Sequence, residues 1–155
     1  MSRPNFFIPG APKCGTKSLA RWLGEHPNIF IPALKEPRFF STDLFQTVKY
    51  KAEYWHLFNK ATGDQPCIGE ASTLYIYSKV AIPKTEASLD KPKYVVMIRN
   101  PVDMAYSLHE QKLYACSETV EDFKTAWELS PYRRRGEKLA RKKNIPAWMD
   151  YQSIC

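Results

Sequence analysis

Long apolar runs are missing from this chain of 155 residues. The longest reach about five residues, as in Tyr94-Val95-Val96-Met97-Ile98, whereas a membrane-spanning helix takes ~20. No transmembrane segment is expected. The first apolar stretch, Phe6-Phe7-Ile8, is too short for the core of a signal peptide, so a cytoplasmic location is expected. Cysteine is sparse: Cys14, Cys67, Cys116 and Cys155 stand far apart with no C-x-x-C pair. That spacing excludes a disulfide framework and a zinc knuckle. The three histidines, His26, His56 and His109, share no metal-ligand spacing. No metal site is expected. Internal repeats and low-complexity stretches are also missing.

Hydrophobic residues make up 44% of the chain and charged residues 25%. That is ordinary globular composition, and the length suits one domain, 1–155, with a real core. Acidic residues are outnumbered, 16 against 23 Lys and Arg, for a net charge of +7. The excess is local. Residues 132–143 hold Arg133, Arg134, Arg135, Lys138, Arg141, Lys142 and Lys143 against Glu137 alone. Such a run is either a solvated helical face or a patch for a polyanion. It lacks the interleaved aromatics of a single-strand nucleic-acid platform and the apolar face of a membrane-inserting helix. A sulfated or phosphorylated ligand is the simplest partner, and no nucleic-acid partner is expected.

The order of elements reads as strand, helix, strand, helix. Asn5-Phe6-Phe7-Ile8-Pro9 is a short buried strand. Thr16 to Leu23 is a helix with Leu19, Trp22 and Leu23 on one face, closed by Gly24 and His26-Pro27. Ile29-Phe30-Ile31 is a strand candidate, and Tyr50 to Leu57 reads as helix. Cys67 to Ser72 reads as a strand end running into a loop. Lys93 to Ile98 is the clearest strand, apolar on both faces as a central parallel strand would be. Asn100 caps a helix with Pro101 at its first position, running to about Ala115. Its expected core residues are Val102, Ala105, Tyr106, Leu108 and Leu113. A last helix is expected from Thr119 to Leu129. The four tryptophans read as core, with Trp148 capping the sheet or lining an acceptor groove. Alternation of strands and helices predicts an α/β fold of three layers, a central parallel sheet with helices on both faces.

Two of only six glycines, Gly10 and Gly15, bracket the first strand-to-helix turn. Such a turn directs backbone N–H groups and a helix N-terminus at one point, which suits phosphate or sulfate oxygens. Lys13 adds positive charge, and Thr16 and Ser18 add hydroxyls. The nucleoside-triphosphatase loop G-x-x-x-x-G-K-[ST] is not matched, because Thr16 follows Gly15 and Lys17 comes one place late. No Mg²⁺-binding Asp ends the strand Met97-Ile98; Arg99-Asn100 stand there instead. A second anion contact is expected at Arg99, whose guanidinium is a bidentate fork, with Ser107 two helical turns on. Together these features suggest a ligand with two anionic ends. A P-loop kinase or nucleotide hydrolase and a non-catalytic polyanion-binding module using 132–143 are the other readings.

Four segments also carry a family resemblance. Pro12-Lys13-Cys14-Gly15-Thr16-Lys17-Ser18-Leu19 resembles the 5′-phosphosulfate loop of sulfotransferases that use 3′-phosphoadenylyl sulfate (PAPS). Tyr94 to Ser107 resembles their 3′-phosphate segment. Lys35-Glu36-Pro37-Arg38-Phe39-Phe40 is similar to the K/N-E-x-x-F-F stretch of the heparan sulfate N- and O-sulfotransferase branch. Gly69 to Tyr75 is similar to the segment that follows the next strand, with Ala71 where the O-sulfotransferases usually carry lysine. The resemblance implies a P-loop-containing fold, of which this chain would be the N-terminal part. It implies transfer of a sulfuryl group from PAPS, without a metal, to a hydroxyl or amine of a carbohydrate-like or small acceptor. By position, Lys13 would contact the sulfuryl group and the leaving oxygen. Lys13, Cys14, Gly15, Thr16, Lys17 and Ser18 would form the 5′-phosphate cradle, and Arg99 and Ser107 would hold the 3′-phosphate. Glu36 would be the general base. Taken alone, Glu36 reads as a surface carboxylate paired with Lys35 or Arg38.

Overall fold

Strict alternation in the first strand sets up two cores at once. In β1, Phe6–Gly10, every residue is buried, and successive side chains point to opposite faces of the sheet. Phe6 and Ile8 pack with Ala71, and with Ala20, Leu19 and Leu23 of helix α1, Thr16–Gly24. Phe7 faces the other way, into a larger cluster. That cluster takes Tyr54 and Trp55 from α2, Lys51–His56, and Ala81 and Ile82 from α3, Ala81–Ser88. Strand β1 is therefore covered by helices on both sides, as the α/β reading requires.

The computed structural model describes residues 2–138. The chain divides into two compact units, Met1–Ile98 and Arg99–Cys155. The first holds a four-stranded, all-parallel sheet. Its other strands are β2, Ile29–Phe30, β3, Cys67–Ala71, and β4, Lys93–Val96, in the order β2-β3-β1-β4. Phe6 pairs with Gly69 of β3 and with Lys93 of β4.

Strand β4 corrects the sequence reading. It lies at the edge of the sheet, and β1 and β3 are the inner strands. Tyr94 does pack inward, its ring stacked 5.9 Å from Phe7. Val95 and Val96 are exposed, Val96 by 51%. An unbroken apolar run cannot by itself distinguish a central strand from an edge strand.

The second unit carries α4, Pro101–Tyr114, α5, Phe123–Glu128, and α6, Ser130–Arg134. Asn100 caps α4 as expected, its Oδ1 accepting from Val102 N at 2.9 Å. Helix α5 starts later than expected because Asp122 caps it, accepting from Thr125 N at 2.7 Å. The aromatic centre is Phe123, with Tyr106 at 5.1 Å and Trp127 at 5.9 Å between ring centroids. Ala105 and Leu108 are buried and Leu113 half-buried, but Val102 and Tyr106 are exposed. Trp22 of α1 is also exposed, by 67%, against the reading of every tryptophan as core. Trp148 lies outside the described residues.

The basic window is partly internal. Arg133 is buried and donates to both carboxylate oxygens of the buried Glu118, with Nη2–Oε1 at 2.9 Å. Arg135 is paired with Glu137 at 3.0 Å, and Lys138 sits 4.0 Å over the Tyr132 ring. Arg141, Lys142 and Lys143 lie outside the described residues.

Gly69 sits directly under the ring of Phe6, where an added Cβ would stand 2.1 Å from Cζ. Overpacking of this kind costs about 1–3 kcal/mol. Gly69→Ala is therefore expected to lower stability by about that amount, read as a lower urea midpoint at unchanged slope. An unchanged midpoint would show that the Phe6 ring moves aside freely.

Candidate active site

The turn from β1 into α1 leaves a helix N-terminus uncapped. Gly10 lies against the turn at Thr73–Ile76; a Cβ there would meet Ile76 Cγ2 at 2.8 Å and the Thr73 carbonyl oxygen at 3.0 Å. Gly15 takes the left-handed conformation, φ 80°, at the N-cap of α1. No side chain caps that helix, and no acidic residue stands in its first turn. Its opening N–H groups thus remain available to an oxyanion. Thr16 is buried in this turn, while Lys17 and Ser18 are exposed. Cys14 is buried, its thiol 3.4 Å from the Pro12 carbonyl oxygen, and acts as a loop filler.

Three residues of the site hold a left-handed backbone without being glycine: Lys13 at φ 61°, Glu36 at φ 59° and Arg38 at φ 54°. Such conformations cost roughly 1–3 kcal/mol each and persist where surrounding contacts dictate them. For Glu36 those contacts are explicit. Its N–H donates to the carbonyl of Ala71, the buried last residue of β3, at 3.0 Å. Its carboxylate accepts from Thr73 N at 3.0 Å on Oε2 and from Thr73 Oγ1 at 2.9 Å on Oε1. Arg38 Nε approaches Oε2 at 3.3 Å, and Lys35 Nζ lies 3.9 Å from Oε1. The ion pairs that the sequence offers for Glu36 are therefore both present. They form in a half-buried setting, at the carboxyl end of the strand next to β1, and Thr73 adds two contacts the sequence did not announce.

Lys35 joins this segment to α1. Burial lowers its pKa; Glu36 opposes the shift, and repulsion from Lys17 and Arg38 adds to it. A cavity of about 320 Å³ opens beside these groups, lined by Lys17, Arg21, Lys35 and Ala71 among others. Lys13, Cys14 and Gly15 lie in the β1–α1 turn, Thr16, Lys17 and Ser18 in the first turn of α1, and Glu36 in a loop, all in the first unit. Arg99 and Ser107 belong to the second. Arg99 is exposed immediately before the Asn100 cap, and Ser107 is half-buried on α4.

One buried ionisable group lies in the segment Gly69 to Tyr75 without a role in the sequence reading. Glu70 of β3 is fully buried. Its Oε2 accepts from the hydroxyls of Tyr54 at 2.8 Å and Tyr75 at 3.1 Å. The Tyr75 oxygen in turn accepts from Phe40 N at 3.1 Å. Nearby, Ser72 Oγ accepts from Arg38 N at 2.9 Å. The segment 36–40 is thus pinned to β3 and its following turn at several points. Burial pushes the Glu70 carboxyl up to about 7, although the tyrosine hydroxyls that donate to it offset part of the rise.

A raised carboxyl pKa destabilises the fold as pH rises, because the native state holds a proton that the unfolded chain has lost. With an ordinary value of 4.5 and a native value of about 7, the effect falls between those two pH values. Unfolding free energy is expected to decline across that window and to level off above it as far as Glu70 is concerned. Glu70→Gln should remove the decline in urea titrations taken at several pH values. A slope that survives the substitution would assign it to another group.

With this geometry in place, the comparisons with known proteins agree. The sulfotransferase domain family matches residues 3–134. The crystal structure of a sulfotransferase from Alicyclobacillus acidocaldarius superposes with a TM-score of 0.86 at 31% identity, over 99% of this chain and 64% of that one. The bifunctional heparan sulfate N-deacetylase/N-sulfotransferase 1 of Caenorhabditis briggsae is 31% identical across 99% of this chain and 20% of its own length. The membrane-associated sulfotransferase kil1 of Dictyostelium discoideum is 29% identical across 67% of this chain and 22% of its own. The chain spans about a fifth of the length of these two curated relatives. The parallel sheet, the uncapped helix behind Gly15 and the match across residues 3–134 lead to one conclusion: this chain belongs to the sulfotransferase domain family.

Proposed function

We propose that the chain binds PAPS at the β1–α1 turn and transfers its sulfuryl group to a hydroxyl or amine of a carbohydrate-like or small acceptor. The observation that carries this reading is the fixed Glu36 carboxylate, held by Thr73 beside an uncapped helix N-terminus. The donor set suits the nucleotide: main-chain N–H groups, the hydroxyls of Thr16 and Ser18, and Lys13 all favour tetrahedral oxyanions.

PAPS supplies an activated sulfuryl group whose bond to the 5′-phosphate oxygen breaks as the acceptor attacks. The residues of this chain do the rest by position and charge, as in phosphoryl transfer. Lys13 stabilises negative charge on the departing oxygen. The opening turn of α1 holds the 5′-phosphate, and Arg99 with Ser107 holds the 3′-phosphate. Glu36 takes the proton from the acceptor hydroxyl or amine. Oε2 accepts from both Thr73 N and Arg38 Nε, whereas Oε1 accepts from Thr73 Oγ1 alone and keeps a lone pair, so orientation and proton acceptance are compatible at Oε1. The cavity lined by Lys17, Arg21 and Lys35, with Glu25 paired to Arg21, carries an excess of positive charge that would favour an acceptor with anionic groups nearby.

Glu36→Gln is expected to lower turnover by about 10²–10⁴-fold, the range of general base catalysis, while adenosine 3′,5′-bisphosphate still binds as in the native chain. Measured transfer of labelled sulfate at an unchanged rate would remove Glu36 from this role. Arg99→Ala should weaken adenosine 3′,5′-bisphosphate by about tenfold or more, as loss of a charge-assisted bidentate contact does, and leave adenosine 5′-phosphate affinity unaltered. Equal weakening of both nucleotides in calorimetry would contradict the assignment.

A further inference from the structure

A second cationic cavity lies elsewhere in the first unit. It has a volume of about 500 Å³ and shares no lining residue with the cavity at Lys17 and Lys35. Arg3, which borders it, stands before the amino end of β1, and Ser88 ends the helix that leads towards the amino end of β4. The Gly10–Gly15 turn leaves β1 at its opposite end.

Four cations border this cavity: Arg3, Lys49, Lys51 and Lys84. Among the described residues no acidic side chain lines it. Like charges gathered around a concave surface repel one another, and low-dielectric walls strengthen their field. Trp55 forms part of the wall, with the Arg3 guanidinium 5.1 Å over its ring. That contact occupies a face of the indole and leaves the N–H as its remaining polar group. The Trp55 indole nitrogen is buried and has no hydrogen-bond partner among the described residues. An orphaned buried donor costs roughly 1–3 kcal/mol, and buried indole N–H groups usually find a partner. Lys84 donates to Thr42 Oγ1, which fixes one ammonium at the rim. The cavity thus gathers four cations beside an aromatic wall, and its volume lies within the roughly 300–1,000 Å³ range of small-molecule sites.

We propose that this cavity, bordered by Arg3, Lys49, Lys51, Lys84 and Trp55, binds a compact polyanion bearing several sulfate or phosphate groups. Ammonium and guanidinium groups answer the charge, and the Trp55 ring forms the wall against which the bound molecule rests. A single inorganic anion would leave most of the volume and charge unmatched. A sulfated sugar and a short polyphosphate offer the same tetrahedral oxyanions, so the probes must separate them.

The test uses the full chain with adenosine 3′,5′-bisphosphate present, so that the β1–α1 turn is occupied. Sucrose octasulfate and inorganic tripolyphosphate are titrated separately by calorimetry. At least one is expected to bind, and Lys49→Ala/Lys84→Ala should raise its Kd by about tenfold or more, given the loss of two charged donors. The nucleotide affinity of the double variant should stay native, which also reports that it folds. The Trp55 indole N–H resonance, assigned by its loss in Trp55→Phe, should shift on addition of the bound probe. Tighter octasulfate binding names a sulfated sugar as the source of the oxyanions, and tighter tripolyphosphate binding names a polyphosphate. Failure of both probes to bind, a Kd unchanged in the double variant, or a stationary Trp55 resonance overturns the proposal.

Discussion

The grip of Thr73 on Glu36 organises the carboxyl end of the first unit. One residue supplies both an N–H and a hydroxyl to the two oxygens of one carboxylate. Glu36 is reached from a loop, and Thr73 opens the turn that follows β3. The bond therefore ties a segment with no regular structure of its own to the sheet. The same turn packs on Gly10, so the bend that leaves β1 and the carboxylate share one support. A loop held this way gains precision from the scaffold beneath it.

Beneath that support lies a layer of buried hydroxyls and a buried carboxyl. Tyr54 comes from α2, Tyr75 from the turn after β3, and both converge on Glu70. Desolvation keeps both phenols above their ordinary range. They act as neutral donors, and their rings also pack in the larger core with Phe7, Phe39 and Phe40. Polar and apolar contacts thus meet in the same side chains. Both hydroxyls converge on Oε2, and the other Glu70 oxygen, Oε1, has no hydrogen-bond partner among the described residues.

The parts of the fold that are encoded locally could be read from the sequence. Asn100-Pro101 announces the start of α4 because an N-cap and its proline are neighbours in the chain. The Gly10–Gly15 bend is legible for the same reason. Helix α3 gave no such signal: Pro83 falls in its first turn, and only Ala81 and Thr85 are buried. The edge position of β4 depends on which strands lie beside it, information carried by residues far along the chain. Thr73 stands 37 positions from Glu36, so their pairing has no sequence signature either. Val102, Tyr106 and Trp22 show the converse error, since apolar identity alone does not assign a residue to the interior.

The buried Glu118–Arg133 pair makes the second unit intolerant of losing either partner. The guanidinium donates to both oxygens of the carboxylate, and both side chains are buried. Removing one of them strands the other as an uncompensated charge away from water, at a cost of about 3–5 kcal/mol. The arginine that looked like one more member of a solvated basic stretch is instead an internal counter-charge that ties α6 to the segment after α4.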